Sequence, residues 1–365
     1  MPESPQFLST QIITYIGNKR GLLPEIENAV ISIQKKLTRK KLTCVDLFSG
    51  SGIVARLLKQ YSNTLYANDL ELYSKILNKC YLTNKSEFPK PLYKEYYKNI
   101  TLSLKSLKTN GIIYNNYAPK NDKKILFGER VFYTSENAKI IDTIRAEIEN
   151  MPSEIQSFFL APLLYSASVN VNTGGVFKGF YKDKHSGIGK FGGSAENALS
   201  RITKTIKLLP PVFSNFECNT KVFSKNANDL ILELPETDII YIDPPYNSHP
   251  YGSNYFMLNI IAKNKIASTL SPVSGIPTDW NRSDYNKKAL ALSAFKHLVQ
   301  STNAKYLIIS YNSEGIIPIF EIKKILKKHG KLSTKEIKYN TYRASRNLKN
   351  RNLYVKEFLF ILQKN

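Results

Sequence analysis

The spacing of apolar and polar positions predicts alternating helices and strands in the first 85 residues. An amphipathic helix at 22–37 is followed by a short apolar strand at 42–48, and the run SGSG separates this strand from a second helix. A second strand at 63–69 and another amphipathic helix at 70–82 come next. This order of elements is typical of the start of a doubly wound α/β sheet.

The regular pattern is interrupted in the middle of the chain and later resumes. A Lys-, Asn- and Tyr-rich stretch is followed by helical patterning at 135–170 and by a basic, glycine-rich segment at 172–193. Strand-like runs return at 219–224, 238–243, 304–312 and 354–362. We therefore predict an α/β core formed by 1–85 and 216–365, with 86–215 as an inserted, basic region that is mainly helical or irregular.

The net charge indicates a polyanionic partner. The 365-residue chain carries 52 Lys and Arg against 29 Asp and Glu, which gives a formal net charge of +23. Clustered Lys and Arg bind nucleic acids by neutralising phosphates and releasing counterions. A Lys-rich surface that merely reflects an A/T-rich genome would produce the same balance. Nucleic acid is nevertheless the partner that we expect.

Several classes of protein are disfavoured by composition. No run of about 18 apolar residues is present, so we expect no membrane span, and the first residues lack a secretory signal pattern. The cysteines, Cys44, Cys80 and Cys218, are too few and too scattered for a disulfide framework or a zinc site. We expect a cytoplasmic protein with no metal.

A glycine-rich loop and a later carboxylate predict a cofactor site. The loop VDLFSGSG at 45–52 follows the first strand, where glycines allow the backbone to approach a ligand closely. Asp69 lies at the end of the second strand, roughly 20 residues farther on, where an acid can bind ribose hydroxyls. A tight turn would also explain the glycines, and a helix N-cap would also explain Asp69.

The segment YIDPPYN at 241–247 is the strongest candidate for catalysis. Asp243 ends an apolar strand, where a carboxylate is unfavourable unless it belongs to a site. Pro244 and Pro245 stiffen the following turn, and Tyr246 offers a flat face on which a base can stack. A turn that simply ends the strand explains the prolines but not the acid and the ring. The segment therefore predicts a site that holds an exocyclic amine.

Together, DPPY and VDLFSGSG resemble the amino-group DNA methyltransferases that use S-adenosylmethionine. An Asp at the first motif position is more frequent in the N6-adenine enzymes of that superfamily. The order YIGNKRGLLPEI, DLFSGSG, basic insertion and DPPY resembles the Dam-like, alpha group. The resemblance implies a Rossmann-like methyltransferase sheet, a DNA target-recognition region in the insertion, and base flipping in double-stranded DNA.

The resemblance also implies roles for individual residues. Asp243, Pro244, Pro245 and Tyr246 correspond to the catalytic motif. Lys19 is expected near the methionine carboxylate of the cofactor, and Phe223 and Ser224 near its adenine. The complete set implied for the cofactor is Tyr15, Lys19, Asp46, Phe48, Gly50, Gly52, Asp69, Phe223, Ser224 and Asp243.

Two segments are expected to contact DNA, in addition to a basic run near the C-terminus. The candidates in the loop after DPPY are Asn247, His249, Tyr251, Asn254 and Tyr255. The candidates in the glycine-rich segment and the basic run are Lys178, Lys182, Lys184, Lys190, Arg343, Arg346 and Arg351. A solvated charged surface would equally explain the basic run.

Several alternatives remain open. The same amine chemistry could serve adenine in RNA or a protein glutamine, although the latter usually shows Asn-Pro-Pro-Tyr. A non-catalytic DNA-binding protein on this fold is a further alternative, and a nicotinamide-dependent dehydrogenase explains neither DPPY nor the charge. No cysteine follows a proline, which argues against a cytosine-C5 enzyme. We expect a monomer that modifies DNA, with a cognate restriction endonuclease acting on the same site.

Overall fold

The chain forms a central sheet in the computed structural model, which describes residues 2–193, 196–340 and 354–365. Its strands are β1 (Leu42–Asp46), β2 (Ser62–Asn68), β3 (Asn219–Phe223), β4 (Thr237–Ile242), β5 (Ala304–Asn312), β6 (Gly330–Asn340) and β7 (Tyr354–Lys364). They lie in the order β3-β2-β1-β4-β5-β7-β6. Strands β1 to β5 are parallel, whereas β7 runs antiparallel between β5 and β6.

The strand order reverses between β1 and β4. From β1 the chain proceeds outward through β2 and β3, and it later returns to place β4 on the other side of β1. Asp46, the last residue of β1, pairs with Tyr241, which stands two residues before Asp243. In open α/β sheets, ligands bind outside the carboxyl ends of the strands at such a switch point. The topology therefore brings the glycine loop and DPPY to one place.

Helices cover both faces of the sheet. On one face lie α1 (Pro5–Ser9), α2 (Leu23–Lys36) and α3 (Ile53–Lys59), and α2 and α3 pack on alternate side chains of the central strands. On the other face lie α10 (Ala227–Leu230), α13 (Ala291–Ser301) and α14 (Ile319–Lys327). Each strand thus alternates its side chains between two apolar cores, which is why β4 is buried along its whole length.

The inserted region is helical. Residues 86–215 contain α5 (Lys90–Ser103), α6 (Ile112–Tyr117), α7 (Ser135–Glu149), α8 (Ser153–Val169) and α9 (Leu199–Thr203), and their described part adds no strand to the sheet. The core of this region also includes α4 (Leu72–Tyr81) and α12 (Phe256–Lys263), which belong to the flanking parts of the chain. Helix α11 (Tyr251–Asn254) immediately precedes α12.

Helix α8 is the centre of the inserted region. Its side chains are apolar around almost the whole circumference, and most of them are buried. Arg145 of α7 donates a hydrogen bond from Nε to the carbonyl of Ile261 at 2.7 Å, which ties the region to α12. The inserted region is therefore packed directly against the α/β core. None of the helices in the described part of the chain combines the length and hydrophobicity that a membrane span requires.

Candidate active site

A cavity of about 720 Å³, measured with its open mouth, lies at the carboxyl ends of β1, β2 and β4. The residues that line it are Tyr15, Gly17, Phe48, Gly50, Asn68, Asp69, Leu70, Glu71, Lys225, Asn226, Ala227, Asp243, Pro245, Tyr251, Asn281, Ser283, Tyr285 and Asn286. The cavity therefore joins the glycine loop to the DPPY segment.

The glycines of the loop after β1 meet a steric requirement. Gly50 has φ +50°, and a Cβ added there would lie 2.8 Å from the ring of Tyr15. Gly52 has φ +80°, and a Cβ would lie 2.8 Å from the side-chain oxygen of Asn78. Both positions combine a left-handed backbone with close neighbours, so only glycine fits without displacement.

Three buried acids lie in and behind the cavity wall. Neither oxygen of the Asp46 carboxylate makes a hydrogen bond, and burial together with the charge of Asp243 raises its pKa well above the usual value. The backbone N–H of Ala55 nearby offsets a part of that shift. Burial raises the pKa of Asp69 to about 6, although Asp69 accepts from the backbone N–H of Gly50 at 2.8 Å.

Glu71 is the third acid, and the sequence motifs did not indicate it. Burial, and secondarily the charge of Asp69, raise its pKa to about 7. One carboxylate oxygen accepts from the side chains of Asn259 at 2.6 Å and Asn281 at 3.3 Å. Asn281 also donates to the carbonyl of Leu70 at 3.1 Å. These contacts hold Glu71 in one wall of the cavity, where its carboxylate oxygens can accept hydrogen bonds from hydroxyl and amino groups of a ligand.

Aromatic rings form another wall. The rings of Tyr15, Tyr251 and Tyr255 form one cluster, with centroid distances of 4.9 Å from Tyr15 to Tyr251, 4.8 Å from Tyr15 to Tyr255 and 6.0 Å from Tyr251 to Tyr255. The Tyr255 hydroxyl accepts from the backbone N–H of Ile16 at 2.7 Å, and the Tyr251 hydroxyl donates to its carbonyl at 3.1 Å. The loop after Tyr15 is therefore fixed to α11 and α12, although these elements are far apart in sequence.

Asp243 stands one residue beyond β4 and is paired on one side only. The Lys19 ammonium lies 2.9 Å from Asp243 Oδ2, and the same ammonium donates to the carbonyl of Gly17 at 2.9 Å. Asp243 Oδ1 is buried and has no hydrogen-bond partner. Burial raises the pKa of Asp243 to about 6, against the opposing effect of Lys19. The carboxylate is therefore mainly ionised at neutral pH, with one acceptor available.

Tyr246 is half-buried and held from two sides. Its ring lies edge-to-face on Tyr311, with 6.3 Å between the centroids, and Lys19 Nζ lies 5.7 Å from the ring centre. Its backbone carbonyl accepts from the N–H of Ile316 at 2.8 Å. A Cβ at Gly17 would lie 3.1 Å from the Tyr246 hydroxyl, so the Tyr15–Lys19 loop approaches this ring closely.

The residues predicted for the cofactor divide into three groups. Tyr15, Phe48, Gly50, Asp69 and Asp243 line the cavity. Lys19, Asp46 and Gly52 lie outside its lining and support it through the contacts described above. Phe223 and Ser224 are displaced from it.

The displacement of Phe223 and Ser224 has a local cause. Strand β3 ends at Phe223, whose ring stacks on Tyr66, and the Ser224 hydroxyl turns to the carbonyl of Leu70. The next three residues, 225–227, line the cavity instead. Contact of Phe223 and Ser224 with the cofactor adenine stays a prediction, and the neighbouring residues 225–227 are further candidates for this wall.

The residues predicted to contact DNA differ in their solvent exposure. His249, Lys178, Lys182 and Lys184 are exposed, and Asn247 is half-buried. Lys190 is half-buried and lies 3.1 Å from Glu196, so part of its charge is already compensated. Arg343, Arg346 and Arg351 lie outside the described residues.

Three of the residues predicted to contact DNA lie inside the described structure. The side chain of Tyr255 is completely buried in the apolar core, and Asn254 is buried at the end of α11. Tyr251 lines the cavity and stacks on Tyr15. These side chains support the site in this structure, and their contact with DNA stays a prediction.

Two features of the site were not predicted from the motifs. Asn281 and Tyr285 come from the long connection between α12 and α13, which has no regular pattern. Glu357 on β7 lies 3.6 Å from the Lys19 ammonium. In the part of the chain that the structure describes, no group of three or more His, Cys, Asp or Glu residues could hold a metal ion.

Comparison with known proteins agrees with this geometry. Residues 15–325 match the family model for D12 class N6 adenine-specific DNA methyltransferases. The type II methyltransferase M.NlaIII of Neisseria lactamica is 30% identical over 364 residues, which cover 96% of this chain and 99% of that protein. The type II methyltransferase M.CviAII of Paramecium bursaria Chlorella virus 1 is 30% identical over 87% of this chain and 89% of its own length.

A longer relative matches over part of its length. The modification methylase StsI of Streptococcus sanguinis is 34% identical over 96% of this chain but only 52% of its own length. The chain thus spans about half of that methylase and almost all of M.NlaIII. Because the family model extends from the loop at Tyr15 through the glycine loop and DPPY to α14, the chain belongs to the D12 class of N6 adenine-specific DNA methyltransferases.

Proposed function

We propose that the chain uses S-adenosylmethionine to methylate N6 of one specific adenine, which it holds outside the duplex at Asp243, Pro244 and Tyr246. The observation that carries this proposal is the buried, unpartnered Oδ1 of Asp243 beside the cavity. An exocyclic amine needs acceptors for its two hydrogens, and the structure offers a carboxylate oxygen in a stiffened turn. The Pro244 carbonyl is the second acceptor that we propose.

The residues that line the cavity fit S-adenosylmethionine in their chemistry. Asp69 and Glu71 offer acceptors for hydroxyl and amino groups, and Tyr15 and Phe48 offer rings for the apolar surfaces. The carboxylate oxygens of Asp46, which make no hydrogen bond, lie behind the same wall. When bound, this cofactor supplies a methyl group activated by a sulfonium.

The chain's own residues orient the amine and stabilise the charge that develops on it. Asp243 Oδ1 accepts one hydrogen of the amine and directs the nitrogen toward the cavity. The new N–C bond would form as the bond between the methyl carbon and sulfur breaks, and N6 would be positively charged until it releases a proton to solvent; the ionised Asp243 stabilises this charge. The face of Tyr246 stacks on the adenine ring. Alignment of the reacting atoms supplies much of the acceleration.

Duplex DNA is the substrate, so the target base must leave the helical stack. An amine inside a base pair cannot reach a cavity behind the DPPY turn, and enzymes that modify such groups extrude the nucleotide. The lysines at 178, 182 and 184 are exposed, and Lys178 lies near His249, whose pKa is lowered by partial burial and secondarily by the charge of Lys178. These lysines are suited to phosphate contacts that position the duplex.

Relatives named as modification methylases and type II methyltransferases support a role in restriction-modification. In that role the chain protects sites that a cognate endonuclease would otherwise cut. It acts as a monomer, since one subunit suffices for a non-palindromic or hemimethylated site. The cytoplasm is the compartment where such an enzyme meets its DNA.

Methyl transfer to oligonucleotides tests the proposed function. Labelled methyl groups from S-adenosylmethionine are expected to enter adenine of duplex DNA, and Asp243→Asn is expected to abolish incorporation. Asp229→Asn, an exposed change of the same chemistry, serves as the matched control. Incorporation into RNA alone would favour the RNA enzyme, and sequence-specific DNA binding without transfer would favour the non-catalytic alternative. Mapping N6-methyladenine in DNA from expressing cells then identifies the recognition sequence.

A further inference from the structure

Lys19 connects two carboxylates. Its ammonium lies 2.9 Å from Asp243 Oδ2 and 3.6 Å from Glu357 Oε1, and the side chains of both Lys19 and Glu357 are almost completely buried. Glu357 belongs to β7, opposite Asn312 of β5. The Lys19 ammonium therefore links the antiparallel strand β7 to the DPPY turn.

Glu357 is held rigidly. One of its carboxylate oxygens accepts from the Ser310 hydroxyl at 2.8 Å, and the other accepts from the Asn312 side chain at 3.1 Å. Both donors stand on β5, which is hydrogen-bonded to β4 and to β7. A carboxylate fixed in this way cannot move aside to avoid Asp243, so it stays beside the Lys19 ammonium.

The charges in this cluster do not cancel. Lys19 and Asp243 alone would form a neutral pair, and a neutral pair would stabilise a positive charge on N6 only weakly. Glu357 leaves the cluster with one net negative charge. Burial of a further carboxylate is costly unless it has a role. A preorganised negative potential beside a nitrogen that becomes positive is such a role.

We propose that Glu357 is a positioning residue for methyl transfer, which acts through Lys19. It holds the ammonium on Asp243 Oδ2, leaves Oδ1 for the adenine amine and keeps the cluster negative. This inference rests on the proposed role of Asp243. It predicts that removal of the Glu357 charge slows the transfer step while the cofactor and the duplex still bind.

The pH dependence of transfer distinguishes this role from a purely structural one. The groups that act on or face Asp243 are Lys19 from the N-terminal loop, Glu357 from β7, Tyr241 from β4, Asp46 from β1, Tyr246 from the DPPY turn and Tyr251 from α11. The charge of Glu357 raises the pKa of Asp243. Its removal therefore lowers that pKa, and the acid limb of the rate profile moves to lower pH.

Single-turnover methylation by Glu357→Gln tests the inference. Gln has the same shape, and it can accept from the Asn312 side chain while its NH2 group donates to the Ser310 hydroxyl, so folding is expected to be retained. We expect the rate at neutral pH to fall roughly 10- to 100-fold, as for other small displacements of reacting groups. We expect the midpoint of the acid limb to fall as well, with dissociation constants for cofactor and duplex within about twofold of wild type.

Two further variants complete the experiment. Glu336→Gln on β6 removes an exposed carboxylate that lies 2.7 Å from Lys356, and it is expected to leave rate and midpoint unchanged. Glu357→Asp keeps the charge, so its midpoint is expected to stay near that of wild type even if its rate falls. If Glu357→Gln keeps the rate and the acid-limb midpoint of wild type while Asp243→Asn is inactive, the inference about Glu357 is overturned and the proposed function stands. An active Asp243→Asn would instead overturn the proposed function.

Discussion

Lys19 and Asp243 form a buried ion pair, with 2.9 Å between Nζ and Oδ2, that joins the loop after Tyr15 to the end of β4. The resemblance to known methyltransferases placed Lys19 on the cofactor. In the structure Lys19 lies outside the lining of the cavity and contacts the catalytic carboxylate. Its main effect is therefore on the charge and orientation of Asp243.

Replacement of Lys19 by Met is expected to impair transfer most strongly at acidic and neutral pH. The ammonium lowers the pKa of Asp243, so its loss raises that pKa above about 6 and protonates more of the carboxylate. A protonated Asp243 is a poorer acceptor for the amine. We expect a rate at neutral pH lower by roughly 100-fold, similar to the loss of one preorganised electrostatic contact. Single-turnover methylation across pH measures both the rate and the midpoint.

The acid limb moves in opposite directions in Lys19→Met and Glu357→Gln, because the removed charges have opposite signs. Lys40→Met, at an exposed position, is the control for loss of one positive charge. Lys19→Met also leaves two buried carboxylates without their shared cation, so its fold must be checked by circular dichroism. An unshifted acid limb in a folded Lys19→Met variant would contradict the electrostatic role.

Activity and stability are expected to change in opposite directions as the pH rises from about 4 to 7. Burial raises the pKa of Asp243, Asp69 and Asp142 to about 6 and that of Glu71 to about 7. In this window the folded chain binds more protons at these positions than the unfolded chain does, so their contribution to stability falls with rising pH. Transfer needs ionised Asp243, so the rate rises over the same window.

Urea unfolding at a series of pH values, paired with rate measurements, tests this opposition. The free energy of unfolding should fall through the pH range in which the methylation rate increases. Asp69→Asn removes one of the titrating groups, and its stability should depend less steeply on pH than that of wild type. A wild-type free energy of unfolding that instead rises steadily from pH about 4 to 7 would contradict the burial of these acids.

The core of the fold was predictable because its signals are local. The runs at 42–48, 63–69 and 238–243 end within two residues of β1, β2 and β4, and the α/β prediction is confirmed. Strand β6 was missed because its side chains through Lys338 are exposed or half-buried and its sequence is polar. Hydrophobic periodicity does not reveal an edge strand of this kind.

The candidate site was predictable from the sequence only where the residues of a motif constrain their own backbone conformation. DPPY and the glycine loop do so, because prolines and positive-φ glycines constrain the backbone wherever they occur. The contact of Lys19 with Glu357 joins residues that are brought together only by the complete sheet. The sequence could not show that Tyr255 is buried, because polar aromatic residues occur both in cores and at interfaces, and only the packing of α12 places it inside.

Gly50→Ala is expected to weaken cofactor binding. The substitution places a methyl group 2.8 Å from the Tyr15 ring, which packs on Tyr251 and Tyr255. Either this ring or the backbone of the glycine loop must therefore shift, and both Tyr15 and Gly50 line the cavity. Titration calorimetry with S-adenosylmethionine should show affinity at least about 10-fold weaker, in line with the cost of overpacking.

Gly128→Ala is the matched control for Gly50→Ala. Gly128 also has a positive φ, +91°, but a Cβ there meets nothing within 4 Å. Both variants therefore carry a similar conformational cost of roughly 1–2 kcal/mol, and they differ in crowding at the cavity. Equal cofactor affinities in the two variants would show that the approach of Tyr15 to the glycine loop has no part in binding.

Tyr246→Ala and Tyr246→Phe distinguish the role of the aromatic ring from that of the hydroxyl group. The ring is expected to stack on the extruded adenine, and stacking of one base contributes about 1–3 kcal/mol. Tyr246→Ala should therefore reduce kcat/KM roughly 10- to 100-fold, whereas Tyr246→Phe keeps the ring and should stay within about fivefold of wild type.

A fluorescent adenine analogue at the target position reports directly on the extruded base. Its signal on binding should be altered in Tyr246→Ala and preserved in Tyr246→Phe, because the analogue senses the neighbouring ring. Phe320→Ala removes another exposed ring, on α14, and should change neither measurement. If Tyr246→Phe were as defective as Tyr246→Ala, the hydroxyl near Gly17 would be the active group, and Tyr246 would serve to hold the Tyr15–Lys19 loop in place.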